Sequence, residues 1–239
     1  MKVELIGTGA IYTKYNSAST LINDDIIVDM PNGTLKQLLK KNYKPEKIKT
    51  ILITHLHGDH TADIPFFFKY MHYSEENKGV TIVGPKGIEN KIEQLFDAYN
   101  FEDKKIIEEK KSIKYIEISK ENIILEDIKQ YKIHGIKVIH GKETLAYGYI
   151  INDALGITGD TSICNGVKKI IESTKITIAD CSFSKGDLEH MGIDNIEYLA
   201  ETYQKQIIPT HLLNSTREKL KGMNTENVLL VEDGYKFEI

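Results

Sequence analysis

Three of the chain's eight histidines, His55, His57 and His60, fall within six positions of the stretch ILITHLHGDHTADI at residues 51–64. Asp59 lies among them. Imidazole and carboxylate together suit zinc and other borderline divalent metals. His55 and His57 are two apart, so in an extended chain their rings point the same way. Asp59 and His60 follow Gly58, a residue that lets the backbone turn tightly. The segment thus offers one ligand pair before the glycine and one after it. A single metal rarely takes four groups from so short a run. Two metals about 3.5–4 Å apart, sharing a bridging carboxylate and a bridging hydroxide, fit the arrangement better. Such a site demands further ligands at the ends of other strands, and the sequence supplies three. His140 closes IKVIH, Asp160 closes LGITGD and His211 closes IIPTH.

A lone histidine at a strand end is ordinarily satisfied or solvated, but three polar groups in the demanded context carry more weight. The other histidines are less informative. His72, in FFFKYMHY, falls on an expected helix and reads as packing or surface, and His134, in KIHG, carries little functional weight. His190 lies in SKGDLEHMGIDNIEYLAE, just before a helix whose N-cap is expected at Asp194. It reads either as a loop histidine or as a general acid facing the substrate.

The elements that must position these groups are short and β-branched. Residues 3–6, 19–22, 26–29, 50–54 and 80–84 read as strands, with helical spacing over 34–42 and 88–100. A strand-rich middle follows at 112–118, 128–133, 136–140 and 145–151. Helix and strand then alternate over 164–173, 175–181, 193–203 and 205–211, which makes an α/β chain. No Pro-, Gly- or Ser-rich linker divides it, so residues 1–239 are expected to form one domain. Two segments echo each other: LINDDIIVDM (21–30) and YIINDALGITGDT (149–161) each place an Asn-Asp turn between strands and end near an aspartate, Asp29 or Asp160. Asn-Asp is a favoured hairpin turn. The echo also fits two similar halves facing across a cleft.

Composition narrows the partners. The net charge of −4 gives no general attraction to nucleic acid or anionic membranes. Of 31 basic residues only Arg217 is an arginine, so two-point grips on phosphate are scarce. Cys164 and Cys181 form no CxxC pair, which points to a reducing compartment. With no leader at MKVELIGTGA and no apolar run near 18 residues, the expected location is the cytoplasm, without a membrane.

The HxHxDH core at 55–60, followed by His140, Asp160 and His211, resembles the metallo-β-lactamase superfamily, and LIGTGA, NSASTLI and Asp29 extend the likeness over nearly the whole chain. The resemblance implies an αββα sandwich, two mixed sheets between helices, with the site along one edge. It implies His55, His57 and His140 on one metal, Asp59, His60 and His211 on the second, and Asp160 bridging both. Within the superfamily the chain is most similar to the ribonuclease Z and phosphodiesterase branch, through VTIVGPKGIENKIEQLF (80–96), HGKETLAYGYII, and GDTSICNGVKKIIESTKITIADCSF (159–183). His190 resembles the extra histidine that those enzymes use near the scissile phosphate. Only 19 residues separate His140 from Asp160, leaving no room there for the long tRNA-gripping arm of true ribonuclease Z. That gap and the negative charge disfavour tRNA.

The expected function is therefore binuclear metal-dependent hydrolysis of a small or short phosphodiester. Zinc is the default metal, with manganese or iron as alternatives. Asp59 would ligate and orient the nucleophile, and His190 would serve the leaving oxygen. Competing readings are a lactonase or thioesterase of the glyoxalase II kind and a non-catalytic metal-binding protein. Flavodiiron-type chemistry fits less well, since that branch resembles HxExDH and the middle position here is His57. The family likeness also raises the possibility of a homodimer.

Overall fold

Near-continuous β-branched runs bounded by Asn, Asp and Gly build strands buried on both faces, and these strands form two sheets. A computed structural model describes residues 1–74, 79–100, 113–125, 128, 130–223 and 226–239. The first sheet contains β1 (Lys2–Gly7), β2 (Ser19–Ile22), β3 (Ile26–Val28), β4 (Thr50–Leu52), β5 (Val80–Pro85) and β6 (Ile113–Ile118). The second contains β7 (Asn122–Ile124), β8 (Ile133–His140), β9 (Thr144–Ile151), β10 (Leu155–Ile157), β11 (Ile176–Asp180) and β12 (Gln206–Thr210). A last strand, β13 (Lys236–Glu238), joins the first sheet, giving the orders β13-β1-β2-β3-β4-β5-β6 and β12-β11-β10-β9-β8-β7.

Both sheets follow one plan. An antiparallel hairpin, β2–β3 or β9–β10, is extended by parallel strands, β4–β5 in one sheet and β11–β12 in the other. The two Asn-Asp turns are left-handed at both central residues, with φ of 47° and 64° at Asn23 and Asp24 and 53° and 51° at Asn152 and Asp153. Paired positive φ values are the signature of a tight hairpin whose twist matches its strands. The sequence echo is therefore a structural repeat.

Three apolar layers hold the sheets and helices together. Val28, Leu52, Tyr149, Ile157, Ile178 and Ile208 pack between the sheets. On the outer face of the first sheet, Ile27, Ile51 and Ile82 meet Leu38, Phe67, Phe68 and Ile92 from helices Thr34–Lys40, Ile64–Tyr73 and Ile88–Ala98. On the outer face of the second, Val138, Ile150 and Ala179 meet Val167, Ile170, Ile196 and Leu199 from helices Asn165–Glu172 and Ile193–Tyr203. The result is the four-layer αββα sandwich. Among the described residues, no helix is long and apolar enough to cross a membrane.

Several local expectations are corrected. Within the run 128–133, Ile128 and residues 130–132 are not strand: Tyr131 N–H bonds the Ile128 carbonyl at 3.0 Å, and pairing begins at Ile133. Lys129 and Ser112, the first residue of the expected strand 112–118, lie outside the described residues. The strand expected at 136–140 instead starts at Ile133 and runs through Gly135, where a Cβ would come within 3.0 Å of Ile123. Gly192, not Asp194, caps the helix Ile193–Tyr203. The Asn195 amide oxygen reaches back to Gly192 N–H at 3.1 Å, and Asp194 accepts from Gly186 N–H across the loop. Gly58 has no left-handed φ; the chain turns there because a short helix, Gly58–Thr61, begins.

Candidate metal centre

The edge of the sandwich where the parallel strands end gathers all seven expected ligands. Asp29 follows β3, His55 follows β4, Asp160 follows β10, and His211 follows β12, while His140 is the last residue of β8. Helix Gly58–Thr61 returns Asp59 and His60 to the same edge. His57 Nδ1 lies 3.0 Å from His55 Nε2 and 3.2 Å from His140 Nε2, so three ring nitrogens converge. Nearby, Asp59 Oδ2 stands 3.8 Å from His60 Nε2 and 3.5 Å from His211 Nε2. Asp160 Oδ2 reaches both groups, at 3.9 Å from His55 Nε2, 3.4 Å from His60 Nε2 and 3.3 Å from His211 Nε2. Each trio can hold one cation in one place. His72 and His134 stand apart on the helix Ile64–Tyr73 and on β8, outside these groups.

Four of the five rings are turned by a partner on the far side. Thr54 Oγ1 donates to Asp29 Oδ2 at 2.8 Å, so it accepts from His55 Nδ1 at 3.1 Å. Asp29 Oδ2 also accepts from His60 Nδ1 at 2.8 Å. The Glu189 carbonyl accepts from His140 Nδ1 at 2.8 Å. Ser182 Oγ lies 2.8 Å from His211 Nδ1. A proton fixed on Nδ1 leaves Nε2 with a free lone pair facing the cluster. His57 alone uses Nδ1, and its ring is exposed.

The fit to a cation can be tested on His60. Its Nε2 is buried yet has no hydrogen-bond partner among the described residues. A buried nitrogen in this state costs free energy unless something binds it. The charges agree. Burial favours neutral His60, but the Asp160 and Asp29 carboxylates overcome it and hold the pKa well above the ordinary value. Burial likewise opposes charge on Asp160, and the imidazoles of His211 and His60 overcome it, pulling the carboxyl well below its usual range. His55, with burial dominant, is pushed well down and stays neutral. The carboxylates thus need positive charge beside them, which protons supply in the absence of metal and divalent cations would supply in exchange.

His190 enters from the loop between β11 and the following helix. Its Nδ1 donates to Asp180 Oδ2 at 2.9 Å and lies 4.0 Å from Asp160 Oδ2. Its ring stacks on His211 at 5.2 Å between centroids. Burial disfavours the imidazolium, but the Asp180 hydrogen bond and charge outweigh it and raise the pKa to about 9. The loop is held in shape by Asp187 Oδ1, which accepts from the N–H groups of Glu189 and His190, each at 2.8 Å. In the sequence Asp180 and Ser182 stand out only as members of the run 159–183 that carries the ribonuclease Z likeness, and Thr54 and Glu189 carry no assigned role. Their signal was position alone, at the ends of site-bearing strands or one residue from a ligand.

The family model described as anti-Pycsar protein Apyc1 matches residues 1–237. The chain belongs to the anti-Pycsar protein Apyc1 family. This Apyc1-family chain is similar to ribonuclease Z of Pediococcus pentosaceus, with 31% identity over 163 residues, 64% of this chain and 49% of the relative. It is also similar to ribonuclease Z of Bacillus licheniformis, with 26% identity over 256 residues, 88% of this chain and 82% of the relative. Against the Pediococcus pentosaceus, Nanoarchaeum equitans and Latilactobacillus sakei relatives the chain spans about half of their length. Among solved structures, the metallo-β-lactamase fold protein YhfI from Bacillus subtilis matches with TM-score 0.75 and 20% identity over 99% of each chain. A diphosphatase from the PhnP family matches with TM-score 0.77 and 20% identity, covering 100% of this chain and 97% of that one. The short form of human tRNase Z matches with TM-score 0.75 and 18% identity, covering 100% and 99%. At these identities the structures establish the metallo-β-lactamase fold. The sequence relatives add a likeness to ribonuclease Z.

Proposed function

We propose that this Apyc1-family chain is a binuclear metal-dependent phosphodiesterase. His55, His57 and His140 would hold one cation, Asp59, His60 and His211 the other, and Asp160 would touch both. Zinc suits this imidazole-rich donor set, with manganese or iron as alternatives. When bound, the two cations supply an acidified water and neutralise charge on the phosphoryl oxygens. Asp59, half-buried at the rim of the cluster, orients the attacking water by accepting its hydrogen bond.

The observation that carries the phosphodiester reading is the placement of His190, its Nδ1 2.9 Å from the buried Asp180 carboxylate and its ring stacked on His211. An imidazole anchored there, when protonated, suits an anionic substrate, and its proton can pass to the leaving alkoxide. A neutral lactone or thioester has less use for it. The relatives are named ribonuclease Z, but residues 141–159 between His140 and Asp160 are spent mostly on β9 and β10. This favours a small or short phosphodiester over tRNA.

Metal-loaded protein should therefore turn over bis(p-nitrophenyl) phosphate faster than a chromogenic thioester or lactone. Preference for either carbonyl substrate would move the assignment to a glyoxalase II-like hydrolase. Full metal occupancy with no turnover of any of the three would leave a metal-binding protein.

A further inference from the structure

Ser182 is 2% exposed, and its hydroxyl meets four polar atoms. Asp180 Oδ1 and His211 Nδ1 each lie at 2.8 Å, His190 Nδ1 at 3.1 Å and the His211 carbonyl at 3.2 Å. A hydroxyl has one proton to give and two lone pairs to offer. The charged acceptor at 2.8 Å takes that proton, because charge-assisted bonds are the stronger ones. Ser182 Oγ must then accept from His211 Nδ1–H. Asp180 uses its other oxygen, Oδ2, for His190 Nδ1 and for Thr161 N–H at 3.0 Å. The donors therefore run in one direction, from His211 through Ser182 to Asp180, and from His190 to the same carboxylate. The Ser182 main chain is itself pinned, since its carbonyl accepts from Thr216 Oγ1 at 2.8 Å.

We propose that Ser182 is a positioning residue that fixes the His211 tautomer, so that Nε2 is the free nitrogen, and that ties this ring to the carboxylate holding His190. The inference rests on the reading of His211 as a metal ligand. It assigns Ser182 to one half of the site only. The other half, formed by His55, His57 and His140, takes its orientation from Thr54 and the Glu189 carbonyl.

The test uses the zinc-loaded full chain challenged with a chromogenic chelator, comparing wild type, Ser182→Ala and Ser182→Thr. Wild type should release two zinc ions. Ser182→Ala should lose one of them about 10- to 100-fold more readily, the usual effect of removing a ligand's orienting partner, and hold the other as wild type does. Ser182→Thr keeps the hydroxyl and should restore both. General loosening of the fold would weaken both zinc ions together and would not be reversed by threonine; that outcome overturns the proposal. So does Ser182→Ala holding both ions like wild type. If wild type itself holds no zinc, the metal-site reading falls first and the role of Ser182 with it.

Discussion

Asp29→Asn separates the orientation of the ligands from the stability of the fold. The carboxylate is 4% exposed and accepts three bonds of 2.8 Å, from Thr54 N–H, Thr54 Oγ1 and His60 Nδ1. Asn has the same shape and tolerates the φ of 58° found at this position. Its amide oxygen can keep Thr54 N–H, but its NH2 group then faces Thr54 Oγ1 and His60 Nδ1 and must donate to both. His60 Nδ1 becomes an acceptor, so the ring's proton moves to Nε2, the atom aimed at the metal. The Thr54 hydroxyl, now an acceptor from Asn, turns its own proton toward His55 Nδ1 and drives that ring the same way. Flipping the amide instead sets its NH2 against Thr54 N–H. Replacing three charge-assisted bonds by neutral ones costs roughly 1 kcal/mol each, about 3 kcal/mol in all. For a chain of this size that lowers Tm by about 6–12 °C. Zinc affinity should fall about 10- to 100-fold or more. Thermal melts and chelator competition on the purified variant measure both effects. A folded Asp29→Asn protein with wild-type zinc affinity would refute the tautomer reasoning.

Three further expectations follow from single groups. His190→Gln should keep its metal content and lose about 10²- to 10⁴-fold in phosphodiester turnover, the usual range for a proton donor; undiminished rates would remove His190 from the chemistry. In the metal-stripped protein, the His190 pKa is raised from 6.5 to about 9, so its stabilising contribution is complete below pH 6.5 and disappears as pH rises through about 9. The Tm gap between metal-stripped wild type and His190→Gln should therefore shrink from pH 6 to pH 9.5, and a widening gap would contradict the sign. Arg217, the chain's one arginine, is buried and donates to the Val231 carbonyl at 2.7 Å and Thr8 Oγ1 at 2.6 Å while lying 3.9 Å over the Tyr15 ring. Arg217→Lys keeps the charge but loses the fork and the stacking, so it should cost roughly 2–3 kcal/mol and about 4–12 °C in Tm; an unchanged melt would show that the fork is dispensable.

The clustering of the candidate ligands was legible in the sequence because metal binding restricts residue type, and the α/β pattern restricts where such residues emerge. His55, His57, Asp59, His60, His140, Asp160 and His211 satisfy both conditions at once. Of the groups that orient them, Asp29 satisfies both as well, while the others share at most the position. The Glu189 contact is a backbone carbonyl, which no side chain advertises. Thr54 and Ser182 are residue types that serve many purposes, and only the register of β4 and β11 brings them behind a ring. Asp194 shows the opposite failure. Its type suits an N-cap, but Asn195 claims Gly192 N–H and starts the helix earlier. The alternation over 128–133 likewise mimicked a strand, where Tyr131 N–H instead bonds the Ile128 carbonyl and pairing begins at Ile133.

The most direct test of the binuclear centre is anomalous diffraction at the zinc edge from crystals of the full chain grown with zinc. Two peaks are expected at this edge of the sandwich, one among His55, His57 and His140 and one among Asp59, His60 and His211, with Asp160 touching both. A single peak, or none within reach of these seven side chains, would contradict it.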